Sequence, residues 1–293
     1  MLILALLASP TPASPGDRPE YTYRTGVSEV RLTFAATDQN DHGVATLQAT
    51  DFAVVDKGVI VRDYQSFSRT DYTKLQLVIL LDSSESVSRK FRREITDAIE
   101  LLSRTSGVPE ENISLLSFQN AKPLVLCAGN CRAIHAEDQL PSTQAAGVTP
   151  LYDSVTFASE FLAQRGDAQT EKALILFSDG QDTVSLRSFG DALDAAIRND
   201  VRIYSIDLGG GALPGTSILQ AFATATGGRY ISASSGASRA LDLLLEGFRA
   251  SYTVTYRLPT HARGFHDIRI LATHNLNLQF RSRSGYYFPN HIR

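Results

Sequence analysis

The sequence predicts an α/β protein: a doubly wound, mainly parallel sheet inserted into a smaller antiparallel, β-sandwich-like unit. Three observations predict it. Short runs of alternating apolar and polar residues flank both ends of the chain, the pattern of half-buried strands. At Leu75 the texture changes to Leu-Gln-Leu-Val-Ile-Leu-Leu, a nearly continuous apolar run of the kind buried on both faces of a parallel sheet. Beyond it, short apolar strands alternate with helix-period segments of about 10 to 16 residues, which implies right-handed βαβ units.

In chain order, residues 1–19 begin with the apolar run Leu2 to Ala8 and continue into the Ser-, Pro- and Ala-rich stretch Ser9 to Gly16. This predicts a secretory signal or a disordered leader, hence export to the periplasm, cell envelope or exterior. A unit over 20–71 carries the alternating runs Glu29 to Ala35 and Val59 to Phe67, separated by the turn cluster Asp38-Gln39-Asn40-Asp41-His42-Gly43. The inserted domain spans 72–250. Its strands are the Leu75 run, Ile113 to Phe118, Ala173 to Ser178 and Val201 to Leu208. Its helices are Ser88 to Ser103, Leu151 to Arg165, Leu186 to Asn199, Ser217 to Thr226 and Ala237 to Ala250. Alternation returns over 251–293, in Tyr252 to Arg257, His266 to Ala272, Leu276 to Arg283 and Gly285 to Phe288. That tail is expected to pack with the N-terminal unit, since each is too small for a core of its own.

Composition excludes several function classes. The 293 residues are 43% hydrophobic and 20% charged, the profile of a folded globular protein. A formal net charge of -3 with dispersed Lys and Arg disfavours nucleic acid and anionic membrane surfaces. No apolar run approaches the roughly 20 residues of an integral membrane span. The two cysteines, Cys127 and Cys131, enclose Ala-Gly-Asn. Gly129 and Asn130 suit the turn of a short disulfide loop, which export would favour. Free thiols, or a metal site that adds His135, are the alternatives.

The chemistry concentrates in three loops. Asp82-Ser83-Ser84-Glu85-Ser86 follows the first buried strand and has the form Asp-x-Ser-x-Ser. In a doubly wound sheet, ligands bind outside the carboxyl ends of the strands, and alternate residues of an extended loop present one carboxylate and two hydroxyls to one side. These are hard oxygen donors, suited to magnesium, calcium or manganese. Gly147-Val148-Thr149-Pro150-Leu151-Tyr152-Asp153 precedes a helix, and Phe177-Ser178-Asp179-Gly180-Gln181-Asp182 follows another buried strand. Were Asp82 and Asp179 to converge, they would repel by about 4 kcal/mol at about 4 Å and an effective dielectric of about 20; a cation would remove that cost.

Together the three motifs resemble the metal-ion-dependent adhesion site of the von Willebrand factor A superfamily, with the resemblance covering residues 72–249. It implies a fold of the Rossmann-like class and a divalent cation, magnesium in the first instance, surrounded by Asp82, Ser84, Ser86 and Thr149, with Asp179 acting through water. Glu85 and Asp182 would lie just outside that set. It further implies a binding function: an acidic residue of a partner protein completes the metal's coordination. Glu85 stands where the family commonly has Gly, and Pro150 follows the implied ligand Thr149. The flanks Thr50-Asp51-Phe52-Ala53-Val54-Val55-Asp56-Lys57-Gly58 and Arg283-Ser284-Gly285-Tyr286-Tyr287 look like the von Willebrand A-related proteins described from acidobacteria.

Each motif has a plainer reading. Asp82 and Ser84 are good helix caps, Thr149-Pro150 is a good helix start, Asp179-Gly180 is an ordinary turn pair, and Asp182 reads as a solvated loop residue. Gly209-Gly210-Gly211 fits no phosphate-loop spacing and reads as a turn. No Gly-x-Ser-x-Gly elbow occurs, and the six histidines lie away from the three loops, so the chain is expected not to be an enzyme. The competing readings are a metal-dependent hydrolase, in which clustered carboxylates and magnesium activate water, and a structural envelope module whose metal only stabilises the fold.

Overall fold

The computed structural model describes residues 29–70, 72–87, 107–120, 123–131, 147–166, 169–209, 211, 214–232 and 237–288. The expected leader over 1–19 and the expected helix over Ser88 to Ser103 lie outside them, as does His135.

A six-stranded sheet forms the middle layer. Its strands are β5 (Leu75–Asp82), β6 (Ile113–Phe118), β7 (Leu124–Ala128), β8 (Glu171–Ser178), β9 (Val201–Asp207) and β10 (Tyr230–Ser232), in the order β10-β9-β8-β5-β6-β7. All neighbours pair in parallel except β6 and β7, which are antiparallel. The sheet is therefore mainly parallel with an antiparallel edge, as the strand–helix alternation predicts. Two short strands, β7 and β10, escape the sequence reading. The former sits on the exposed edge, where apolar continuity is not required; the latter has only three residues.

The run from Leu75 shows why central parallel strands are apolar throughout. Leu75, Leu77, Ile79 and Leu81 pack on one face with Leu244 and Phe248 of a helix over Ala237–Arg249 (α4). Val78 and Leu80 pack on the other, against three helices: α1 (Leu151–Ala163), α2 (Phe189–Arg198) and α3 (Thr216–Thr226). Both faces are covered, so neither parity of the strand can be polar. Sequence periodicity starts α2 three residues early, at Leu186. Ser188 starts it instead: its hydroxyl accepts from the Asp191 amide while the Asp191 carboxylate accepts from the Ser188 amide, a reciprocal cap.

The alternating segments pair across the whole length of the chain. One sheet has the order β13-β1-β11-β4, from Gln279–Ser282, Glu29–Thr37, Ser251–Arg257 and Tyr64–Arg69; the other has β14-β12-β2-β3, from Gly285–Phe288, Gly264–Ala272, Phe52–Asp56 and Val59–Val61. Every pairing within them is antiparallel. The run Val59 to Phe67, legible as one strand, is two: it crosses from the second sheet to the first at Arg62-Asp63. Phe34, Phe52, Phe67, Tyr252 and Phe280 stack between the sheets, with ring centroids 5.0 to 6.5 Å apart. Such pairs add about 0.5–1.5 kcal/mol each beyond their burial.

Candidate metal site at the strand ends

Because β5 and β8 are adjacent and parallel, their last residues emerge side by side; Leu81 pairs with Phe177. Asp82 is thereby set beside Ser178, whose hydroxyl donates to Asp82 Oδ2 at 2.7 Å. The Ser84 amide donates to Asp82 Oδ1 at 3.0 Å, and the Ser84 and Ser86 hydroxyls lie 3.1 Å apart. Ser83 points the other way, bonding the Ser117 hydroxyl at 2.8 Å and the Phe118 carbonyl at 2.9 Å. The motif thus divides: Ser83 turns into the sheet, while the Ser84 and Ser86 hydroxyls meet where the loop closes into a 3-10 turn over Glu85–Val87 and does not run extended as expected.

Backbone hydrogen bonds stitch the second loop to both others. The Glu85 amide donates to the Gly147 carbonyl at 3.2 Å, and Thr183 and Thr149 exchange bonds in both directions, Thr183 N to Thr149 O at 2.9 Å and Thr149 N to Thr183 Oγ1 at 2.8 Å. Asp82, Ser84, Thr149 and Asp179 are all buried, while Glu85 and Ser86 are exposed at the mouth. The Thr149 hydroxyl has no hydrogen-bond partner among the described residues. Asp179 accepts from the Gln181 amide at 3.0 Å and its side-chain nitrogen at 3.1 Å.

The close approach at Gly180 explains a glycine the motif requires. Its φ is +78°, and a Cβ there would stand 2.2 Å from the Gly215 carbonyl oxygen at the start of α3. Burial pushes the Asp82 carboxyl up to about 6. The Ser84 and Ser178 hydrogen bonds pull it down, and the charge of Asp179 raises it further. Among the described residues no three His, Cys, Asp or Glu side chains gather into one cluster. The donor set is two carboxylates and three hydroxyls, all hard oxygens, which fits a magnesium-, calcium- or manganese-type ion and not a thiolate- or imidazole-bound one.

Residues 77–181, which contain all five of these groups, match the family model of the von Willebrand factor type A domain. Over that stretch the chain is similar to a von Willebrand factor A domain. No curated protein matches the chain as a whole. The proximal thread matrix protein 1 of the mussel byssus shares the fold, at 13% identity and a TM-score of 0.50, over 66% of this chain and 51% of that one. Two further structures are similar at 14% identity and a TM-score of 0.46. An aerotolerance-related membrane protein of Bacteroides fragilis aligns over 59% of this chain and 98% of its own. The manganese-loaded TRAP protein of Plasmodium vivax aligns over 82% and 100%.

Two acidic residues near the strand ends differ from their sequence reading. Asp182 is held, not freely solvated: its carboxylate accepts from the Tyr152 amide at 3.2 Å and the Ser185 hydroxyl at 2.5 Å. It thus satisfies an open amide in the first turn of α1. Asp207, at the end of β9, passed unnoticed in the sequence. It is fully buried and accepts from the amides of Gly209 and Gly211 and the hydroxyls of Thr216 and Tyr230. Burial, with this carboxylate beside it, pushes the Tyr230 phenol up to about 12. The only signal for Asp207 was its position, an acid at a strand end before a glycine turn. Cys127 and Cys131 form a disulfide across the end of β7. Among the described residues no helix is long and apolar enough to cross a membrane.

Proposed function

We propose that this protein is an exported, metal-dependent protein-binding module of the adhesion type. The observation that carries the reading is the meeting of the three loops: the buried Asp82 carboxylate accepts from Ser178 of the third loop, the Glu85 amide bonds Gly147 of the second, and the Ser84 and Ser86 hydroxyls lie 3.1 Å apart. Asp82, Ser84, Ser86 and Thr149 would hold a divalent cation, magnesium first, with Asp179 behind it. Bound there, the ion would supply an electrophilic position for a carboxylate of the partner.

The residues around the loops suit a protein partner. Val148, Val184 and Leu186 are 43%, 41% and 96% exposed, apolar surface beside the loops that a partner would cover. Asp182, Asp153 and Ser185 hold the loop that carries Val184 and Leu186: the Leu186 and Arg187 amides donate to Asp153 at 2.9 and 3.0 Å. The sandwich formed by 20–71 and 251–293 would be the mount for the inserted domain, 72–250. The disulfide is consistent with an oxidising compartment.

Calorimetric titration of metal-stripped protein with magnesium, calcium and manganese, with Asp82→Ala in parallel, tests the reading. Saturable one-site binding by the wild type, at least a hundredfold weaker in the mutant, is expected. Absence of binding by the wild type, or equal binding by both, would reduce the loops to helix caps and end the proposal.

A further inference from the structure

A cavity of about 510 Å³ lies between the sandwich and the parallel sheet, and its walls include none of the candidate metal ligands. Three arginines line it: Arg229, just before β10, Arg269 on β12 and Arg281 on β13. Arg229 and Arg281 reach Asp41 in the turn the sequence marks at Asp38 to Gly43. Arg281 Nη1 donates to Asp41 Oδ1 at 2.7 Å, and Arg229 Nη2 contacts Oδ2. Each carboxylate oxygen therefore already serves one guanidinium, and Asp41 is itself 44% exposed.

Arg229 and Arg281 retain unused donors. The Arg229 side chain is only 10% exposed, yet its Nη1, like Nη2 of Arg281, is buried with no hydrogen-bond partner. Buried charged donors without partners are costly and rare. Glu246 offsets part of the charge but spends an oxygen on the Gly43 amide. Burial and the neighbouring Arg281 hold the Arg229 guanidinium below its ordinary range. Beyond the arginines the wall is mixed: Thr224, Tyr230, Ser282 and the Asp41 carboxylate stand beside Ile270, Leu271 and Phe280. The volume falls within the range of small-molecule sites, about 300–1,000 Å³, far larger than a bare ion needs.

We propose that this cavity binds an organic oxyanion, its carboxylate or phosphate head held by Arg229 and Arg281 and its body against Leu271. Paired guanidiniums match the planar fork of either head. The site draws its residues from both the sandwich and the parallel-sheet domain, so its occupant bridges them.

The test is calorimetric titration of the full chain, in chelator so that the metal loops contribute nothing, with phenyl phosphate, benzoate and inorganic phosphate. One of the two aromatic anions is expected to saturate a single site, which identifies the head group, while inorganic phosphate binds at least tenfold more weakly. Arg281→Gln should weaken that binding at least tenfold. Leu271→Asp, at a half-exposed position, should abolish it by placing a further negative charge on the wall. Failure of both aromatic anions to saturate, or unchanged binding in both variants, overturns the proposal.

Discussion

Asp82 carries the largest conflict at the scale of a single residue. It is a buried carboxylate with two hydrogen bonds and a like charge nearby, and its carboxyl is raised to about 6 from 3.8. In metal-free protein the native state then binds more protons than the unfolded chain between those values, so stability falls as pH rises from about 4 to about 6. The deficit at pH 7 is about 3 kcal/mol at most. Asp82→Asn, which keeps the shape and cannot ionise, should therefore gain stability over the wild type in chelator as pH rises through this window. Urea unfolding at pH 4.5 and 7.5 measures it; a mutant-minus-wild-type difference that does not grow with pH would contradict the burial argument. With metal present the order reverses, because the proton and the cation compete for one carboxylate. Asp56, in the sandwich, is the opposite case. It is fully buried and satisfied, accepting from Tyr256 at 2.9 Å and Tyr286 at 2.8 Å, with His266 Nδ1 at 3.2 Å. Burial and the adjacent carboxylate keep both phenols protonated far above their usual range. Removing it in Asp56→Ala strands three polar groups and should cost about 3–5 kcal/mol in denaturant unfolding. A loss under about 1 kcal/mol would mean that water replaces it.

Among elements, β7 is the informative one. It is the antiparallel edge of an otherwise parallel sheet, with Leu124 and Val125 exposed, and its far end is closed by the Cys127–Cys131 disulfide. An edge strand has one neighbour to hold it, and this one has a register shift between Leu115 and Leu116 on the β6 side. By chain entropy a loop this short is worth about 2 kcal/mol. Cys127→Ser with Cys131→Ser should lower global stability by about that amount or less, and amide exchange should quicken in β7 before it does in β6. Uniform exchange across both strands would show that the disulfide holds no edge. The Cys-Ala-Gly-Asn-Cys spacing made the bond legible beforehand, with positive φ at Gly129 and Asn130 supplying the turn. Strand β7 itself was not legible, because Leu-Val-Leu-Cys-Ala has neither alternation nor the length of a buried run.

Across the whole molecule, the sandwich and the parallel sheet meet through ionic contacts. Glu171, at the start of β8, is 5% exposed. It takes Arg31 at 2.6 Å and the Thr33 hydroxyl at 2.5 Å from β1, and lies 3.6 Å from Arg202 of β9. Arg283 contacts Asp200 and the Arg31 carbonyl, and Tyr287 donates to Asp194 of α2 at 2.7 Å beneath the Arg198 guanidinium. Breaking a buried charge cluster from one side costs about 3–5 kcal/mol. Glu171→Ala should therefore lose that much and broaden or split a thermal transition expected to be single in the wild type. A single transition with unchanged Tm would show that the two units are coupled elsewhere.

What the sequence determined by itself was local. Period-two runs, the doubly apolar strand at Leu75, the strand–helix alternation and the three oxygen-rich loops at strand or helix boundaries were all readable, because each is written in residues close along the chain. The tertiary structure alone decided which distant segments meet. Glu29–Thr37 pairs with Ser251–Arg257, one apolar run divides between two sheets, Asp207 becomes a buried acceptor of four hydrogen bonds, and Asp41 becomes the shared partner of Arg229 and Arg281. The physical reason is that strand pairing and charge burial depend on partners separated by as many as 240 residues. No periodicity encodes such a separation, so it is settled only by which packing covers the apolar faces and leaves the fewest buried charges alone.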